Sequence, residues 1–227
     1  MIDRDLCNYS KNNWQHFICT IAEISKNSNN GSIVKSEKKI YNFDKITKNL
    51  YSNGNCPASA DGLDITNKIF ELIEFKSGFK KRISKKNFDY EKAKCEHLGD
   101  LCRHYWDLFY KNQENETKQL IASIKFKAIE SYIVLEKKIF PCCNMLKDNN
   151  KAKVKLTIVI DEDELDNMED TLAELSGQSA EPNNCYGQIK QALKRMQNQT
   201  DALGNDYFYD NINVLSAEDF YNQIEKT

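Results

Sequence analysis

The longest run of regular apolar spacing lies between residues 93 and 143. In its first half, apolar side chains recur every three or four residues, which places them on one face of a helix. They are Cys95, Leu98, Leu101, Cys102, Tyr105, Leu108 and Phe109. The second half predicts a central helix over 117–140 that Pro141 ends, after a polar turn at 112–116.

That central helix carries two apolar stripes. One consists of Ile121, Ile124, Ala128, Leu135 and Ile139, and the other of Ala122, Phe126, Ile129 and Ile133. A helix that is apolar on more than one side is typical of one enclosed by neighbours. The central helix is therefore expected at the middle of a bundle.

Helical spacing also predicts most of the other elements. Helices are expected over 10–26, 36–51, 63–76, 163–175 and 185–203, and Ser216 is expected to cap a short final helix, because Ser216-Ala-Glu-Asp has a capping-box-like pattern. Asp61 or Asp64 is the expected N-cap of the helix over 63–76. Residues 154–160 alternate with a period of two and predict a single short edge strand, or the start of the next helix. The expected fold is mainly α, one multi-helix bundle over 1–227, with 144–152 as the candidate sub-domain boundary.

Eight cysteines, an even number without C-x-x-C pairs, favour disulfides and an extracellular protein. The disulfide candidates are Cys7, Cys19, Cys56, Cys95, Cys102, Cys142, Cys143 and Cys185. Four N-glycosylation sequons agree with secretion, at Asn8, Asn30, Asn115 and Asn198. No apolar run approaches the length of a membrane span. The polar N-terminus fits either a cytosolic protein or a mature secreted chain behind an added Met1. The connectivity stays open.

Two metal-site patterns do not have the required spacing. On a helix, Cys95 and Cys102 share one face while His97 and His104 share another, so the four do not surround one zinc ion. An EF-hand starting at Asp161 needs Gly at its sixth position and Glu at its twelfth. This chain has Asp166 and Leu172 there. No metal and no cofactor are expected.

A basic connector over 76–86 is the candidate partner-binding patch. It consists of Lys76, Lys80, Lys81, Arg82, Lys85 and Lys86, with phenylalanines nearby. Basic residues among aromatic ones can indicate nucleic-acid binding or nuclear import. A solvated loop anchored by its phenylalanines is the more common meaning, so nucleic acid is not the expected partner. The first 150 residues are net basic and the remainder is net acidic.

Known catalytic motifs are absent from the sequence. There is no G-x-S-x-G, no P-loop, no dinucleotide-binding glycine pattern and no H-E-x-x-H. No catalytic residues are assigned, and the expected function is non-catalytic.

Tyrosines near scattered cysteines give the chain a family resemblance. With Cys7-Asn-Tyr9 and Cys19, Cys102-Arg-His-Tyr105, and Cys185-Tyr186, it resembles the bicycle proteins, salivary effectors of gall-forming aphids. The resemblance implies a secreted effector that binds host macromolecules, most simply a host protein. The chain is also similar to the interspersed-repeat variant antigens of malaria parasites, which implies a surface ectodomain that binds a host receptor. A helical small-molecule carrier is a third hypothesis.

Overall fold

The centre of the protein is a six-stranded mixed β-sheet with helices on both faces. The computed structural model describes residues 13–26, 31–52, 54–66, 69–79, 89, 92–93, 100–142, 152–161, 185–197 and 208–226. Within these ranges the strands are β1 (Ile18–Thr20), β2 (Lys39–Asn42), β3 (Gly62–Thr66), β4 (Ile69–Lys76), β5 (Lys153–Ile160) and β6 (Asn211–Ser216).

The strands lie in the sheet in chain order. β1 to β4 form an antiparallel meander, whereas β5 is parallel to β4 and β6 is parallel to β5. Consequently β2, β4, β5 and β6 all run in one direction. Their carboxyl ends meet at a single edge of the sheet, and antiparallel β3 begins at that edge.

Helices make the connections that parallel pairing requires. The α-helices are α1 (Ile21–Ile24), α2 (Phe43–Leu50), α3 (Asp100–Val134), α4 (Cys185–Leu193) and α5 (Ala217–Glu225), with 3₁₀ turns at Gln15–Phe17 and Lys194–Met196. α3 connects β4 to β5, and α4 connects β5 to β6. A π-turn at Leu135–Ile139 extends α3 into the helical residues Phe140–Cys142. Its wide turn suits the five-residue spacing of buried Val134 and Ile139.

The sheet separates two apolar cores. The larger lies under α3 and α4, where Phe70, Leu72, Val154, Leu156 and Ile158 of the central strands pack against Ile124, Ala128, Leu135, Tyr186 and Ile189. The smaller lies on the opposite face under α1 and α5, and contains Ile21, Ile40, Ile73, Phe75, Val159 and Phe220. β4 and β5 are therefore covered on both faces, which is the usual setting of parallel strands.

The expectation of a mainly α, disulfide-stapled helical bundle is wrong. The residues expected to form a helix over 63–76 instead form β3 and β4, and those over 36–51 begin with β2. Ile65, Ile69, Leu72 and Ile73 are spaced as on a helix. Ile65 belongs to β3, however, and the spacing of the other three arises because β4 is apolar on both faces. The strand expected at 154–160 exists as β5, at an internal position of the sheet.

The disulfide prediction is also contradicted. Cys19, Cys56, Cys142 and Cys185 are not part of any disulfide within the described residues. Cys7, Cys95 and Cys143 lie outside the described residues, as does the side chain of Cys102. The fold needs no covalent cross-links at the four described positions, because the sheet brings its own apolar surface to both cores.

Helix α3 is longer and more exposed than its pattern predicted. It continues through 112–116, where a polar turn was expected. The stripe that contains Ile124, Ala128 and Leu135 is buried, but Phe126 is 65% exposed and Ile133 is 42% exposed. The prediction of an enclosed helix is wrong on that side. Among the described helices, none combines the length and apolar character needed to cross a membrane.

The N-cap predicted at Ser216 is confirmed, since its side chain accepts a hydrogen bond from the N–H of Asp219 at 2.9 Å. Glycine at position 62 has a steric cause. A Cβ there would lie 2.6 Å from Cδ1 of Ile40, a buried residue of the smaller core.

Gly62→Ala is expected to lower the free energy of unfolding by about 1–3 kcal/mol, because Ile40 must shift inside a packed core. Gly54→Ala is the control, since a Cβ at that position meets nothing within 4 Å. Urea denaturation of the two variants and the wild type measures the difference. Equal losses in both variants would contradict the packing assigned to Gly62.

Candidate active site

Three charged side chains meet where β3 begins and β4 ends. Asp61 immediately precedes β3, and Glu74 and Lys76 close β4. The pairing of Gly62 with Ile73 makes these positions neighbours across the antiparallel ladder. They lie at the carboxyl edge of the sheet, where ligands bind in folds of parallel strands.

Glu74 occupies a core position. Phe70 and Leu72 point from β4 into the larger core, and the two-residue period of a strand puts Glu74 next on the same face. Its side chain is 1% exposed. A carboxylate this deeply buried requires partners of opposite charge or a metal ion.

Lys127 of α3 is the main partner of this carboxylate. Its Nζ lies 2.9 Å from both Glu74 oxygens, and donates a hydrogen bond to Oε2. The same Nζ lies 3.1 Å from Asp61 Oδ1. Lys76 Nζ approaches Glu74 Oε1 at 3.5 Å. Oε1 is buried and accepts no hydrogen bond from the described part of the chain.

The Asp61 carboxylate is held in place by the main chain of β4. Its Oδ2 accepts a hydrogen bond from the N–H of Phe75 at 2.8 Å, and its own N–H donates to the carbonyl of Ile73 at 3.0 Å. The carbonyl of Asp61 accepts from the N–H of Phe43, at the start of α2, at 3.0 Å. Oδ1 is thereby left directed toward Lys127.

Helix α3 also fixes the chain that leads into Asp61. The Ser131 hydroxyl accepts a hydrogen bond from the N–H of Ala60 at 2.7 Å, and a Glu130 oxygen accepts from the N–H of Ala58. Lys127, Glu130 and Ser131 lie within about one helical turn of each other. One short segment of α3 therefore supplies a cation and positions a carboxylate.

Burial dominates the electrostatics of the site. Burial and, after it, the nearby charge of Asp61 raise the pKa of Glu74 to about 8, against the opposing effects of Lys127 and Lys76. For Lys127, burial favours the neutral amine, but the charges of Glu74 and Asp61 outweigh it, so its pKa is raised. A positive ion between the two carboxylates would favour the charged form of Glu74.

The donor set fits one class of metal ion. Mg²⁺ uses one or two protein carboxylates, completes its octahedron with water and substrate phosphate oxygens, and Mn²⁺ accepts similar ligands. Asp61 and Glu74 supply such a pair. No three His, Cys, Asp or Glu side chains converge among the described residues, so a structural zinc site does not fit.

Two of the residues singled out in the sequence, Lys76 and Asp161, lie near the end of β4. Of the basic patch, Lys76 lies in the site, whereas Lys80, Lys81, Arg82, Lys85 and Lys86 lie outside the described residues. Asp161, the first residue of the supposed calcium run, accepts hydrogen bonds from the N–H groups of Gly78 at 2.8 Å and Phe79 at 2.9 Å. Its carboxylate thus fixes the chain leaving β4.

Asp61, Glu74 and Lys127 were missed as functional residues. The sequence predicts Asp61 only as a candidate helix cap, and Glu74 as part of the helix expected over 63–76. The signal available in the sequence was an acidic residue at the end of an apolar run, followed two positions later by a lysine. Lys127 had no such signal, since only the packing of α3 on the sheet brings it to the pair.

No family model, no curated protein and no solved structure matches this chain. The resemblances to bicycle proteins and to variant antigens therefore stay predictions.

Without added metal, stability should fall as pH rises from about 4.5 toward 8. The folded protein keeps a proton on Glu74 that the unfolded chain releases near 4.5, so unfolding is favoured increasingly until the pKa of about 8 is passed. The total effect is on the order of a few kcal/mol. Chemical denaturation in EDTA at several pH values measures it.

Glu74→Gln should flatten this profile, because the amide cannot titrate. Glu136→Gln is the control, since the side chain of Glu136 is 44% exposed. A Glu74→Gln profile as steep as that of the wild type would show that another group causes the pH dependence.

Proposed function

We propose that this protein is a divalent-cation-dependent phosphodiesterase that cleaves nucleic acid. One observation carries the proposal: a buried glutamate and a fixed aspartate share an ammonium group at the carboxyl edge of the sheet, with a second lysine beside them. Two carboxylates can hold a metal ion for phosphoryl chemistry, and a lysine beside them can stabilise the negative charge on the phosphate.

Each residue has a role in that chemistry. Asp61 and Glu74 would hold Mg²⁺ or Mn²⁺, which when bound polarises a phosphate oxygen and lowers the pKa of a bound water. Lys76, whose side chain is 20% exposed, lies on the solvent side of Glu74 and is placed to orient the attacking water and to stabilise charge on the phosphate.

The reaction is hydrolysis. The oxygen of water forms a bond to phosphorus while the bond from phosphorus to the leaving sugar oxygen breaks. One proton leaves the attacking water to solvent, and one proton from solvent neutralises the leaving oxygen. The chain requires no oxidant, reductant or covalent intermediate for this step.

Charge around the site favours a polyanion over a small phosphate ester. Lys48 of α2 is close enough to interact electrostatically with Lys127, and its side chain is 65% exposed and forms an ion pair with Asp44. Lys138 lies 5.3 Å from the ring centroid of Tyr51 at the end of α2. In sequence, the basic patch starts at Lys76 and adds five more cations by Lys86. Successive cations of this kind match the repeated charge of a phosphate backbone.

The sequence-based expectations lead in another direction. A secreted, non-catalytic effector that binds a host protein, a surface antigen and a small-molecule carrier all stay predictions. The lack of disulfides at the four described cysteines removes one argument for secretion but does not test secretion itself. The site geometry instead favours catalysis, and it moves nucleic acid from an unexpected partner to the proposed substrate.

Purified protein should cleave single- or double-stranded DNA or RNA in Mg²⁺ or Mn²⁺ and lose the activity in EDTA. Asp61→Asn, Glu74→Gln and Lys76→Met should each lower the rate on the order of a hundredfold or more, because each removes part of the charge stabilisation. Gel assays with end-labelled substrates measure the rates.

Asp64→Asn is the matched control. Asp64 lies in β3, three residues after Asp61, but its side chain is on the opposite face of the sheet. There it contacts Lys38 at 3.6 Å. This variant should keep the wild-type rate. Cleavage that survives Asp61→Asn and Glu74→Gln, or that is absent with every metal and substrate, would contradict the proposal.

A further inference from the structure

The ammonium group of Lys127 lies between the two carboxylates proposed to bind the metal ion. Its Nζ is 2.9 Å from the Glu74 oxygens and 3.1 Å from Asp61 Oδ1. These are contact distances to both members of the pair from a single atom. A cation bridging Asp61 and Glu74 would have to occupy nearly the same space.

Two positive charges do not share such a space favourably. An ammonium group within a few ångströms of a divalent ion is strongly repelled, and more so where the side chains are half-buried than in bulk water. The hydrogen bonds from Lys127 to the pair also have to be broken before both carboxylates turn to the metal.

We propose that Lys127 is an exchangeable internal cation that competes with the divalent ion for Asp61 and Glu74 and thereby sets the affinity of the site. Its positive charge partly compensates the carboxylates when no metal is bound, and its side chain leaves them when the metal binds. This inference rests on the proposed function, because it assumes that the pair binds a metal ion.

The structure gives Lys127 the freedom that the exchange needs. Its side chain is 26% exposed, so a route to solvent exists, and four methylene groups let the ammonium move without the backbone. The backbone of α3 is held beside the site by Ser131 and Glu130, through their hydrogen bonds to Ala60 and Ala58. The movement is therefore confined to one side chain.

Lys76 is not equivalent. Within the described ranges, its ion pair is with Oε1 of Glu74, at 3.5 Å. Its ammonium does not bridge the two carboxylates, so a metal ion between them leaves Lys76 in place beside Glu74. The cation that competes with the metal ion is thus Lys127 of α3, and the cation that stays beside the substrate is Lys76 of β4.

Calorimetric titration of Mn²⁺ into the full chain tests the competition. Lys127→Met keeps the aliphatic stem and removes the charge, so its affinity for Mn²⁺ should rise on the order of tenfold above that of the wild type. Lys125→Met removes a charge from the exposed side of the same helix and should bind like the wild type. Asp61→Asn should bind weakly or not at all.

A second measurement uses the wild-type protein, since Lys127→Met leaves buried Glu74 with less compensation and lowers stability. The protein is labelled with ¹³C at the lysine ε-carbons and titrated with Mg²⁺ in the absence of Mn²⁺. NMR spectra then follow the signal of each lysine side chain. The signal of Lys127 should shift with saturation of the site, whereas that of Lys125 should not.

The outcomes separate this inference from the function. Mg²⁺ binding that depends on Asp61 but leaves the Lys127 signal unchanged, with no gain of affinity in Lys127→Met, would overturn the competition and leave the proposed function standing. Absence of cation binding in the wild type and in Lys127→Met alike would overturn both. Binding that appears only in Lys127→Met would support the competition in its strongest form.

Discussion

A buried carboxylate at a core position of a central strand is the constraint on which the site depends. Glu74 follows Phe70 and Leu72 along the face of β4 that packs under α3, and its side chain is 1% exposed. An apolar residue would satisfy this position without any partner. A glutamate here requires Lys127 and Lys76 around it, and its burial raises its pKa. Such a residue contributes little to stability and points to a function.

The mixed sheet explains why the partners meet. Antiparallel pairing of β3 with β4 brings Asp61 beside the end of β4, and the parallel pairing of β4 with β5 requires a crossover helix over the same face. That helix is α3, which contributes Lys127 and also holds the segment before Asp61. The carboxylate pair, its counter-ion and its supports thus come from one β-β-α-β unit.

The sequence predicted the elements with strong local patterns. The central helix, the strand at 154–160 and the N-cap at Ser216 all depend on neighbours within a few residues, and they are present. β3 and β4 were assigned to one helix because strand residues covered on both faces lose their period-two pattern, and Ile65, Ile69 and Leu72 then fit a helical period equally well. Pairing between distant strands has no local signal of this kind.

The same reason limits prediction of the site. Glu74 and Lys76 are two residues apart and could have been noticed as charged residues closing an apolar run. Asp61 joins them only when β3 is paired with β4, and Lys127 joins only when α3 is packed on the sheet. The number of cysteines predicts disulfides, but the four cysteines that the structure describes, out of eight in the chain, form none in a fold with two substantial apolar cores.

The most direct test of the account is the position of a bound metal ion. Crystals of the full chain grown with Mn²⁺ should show an anomalous diffraction peak between the carboxylates of Asp61 and Glu74, with the ammonium of Lys127 moved away from both. The result that would contradict Asp61 and Glu74 as the centre of the site is the absence of an anomalous peak at this pair at saturating Mn²⁺, or a peak that lies elsewhere in the protein.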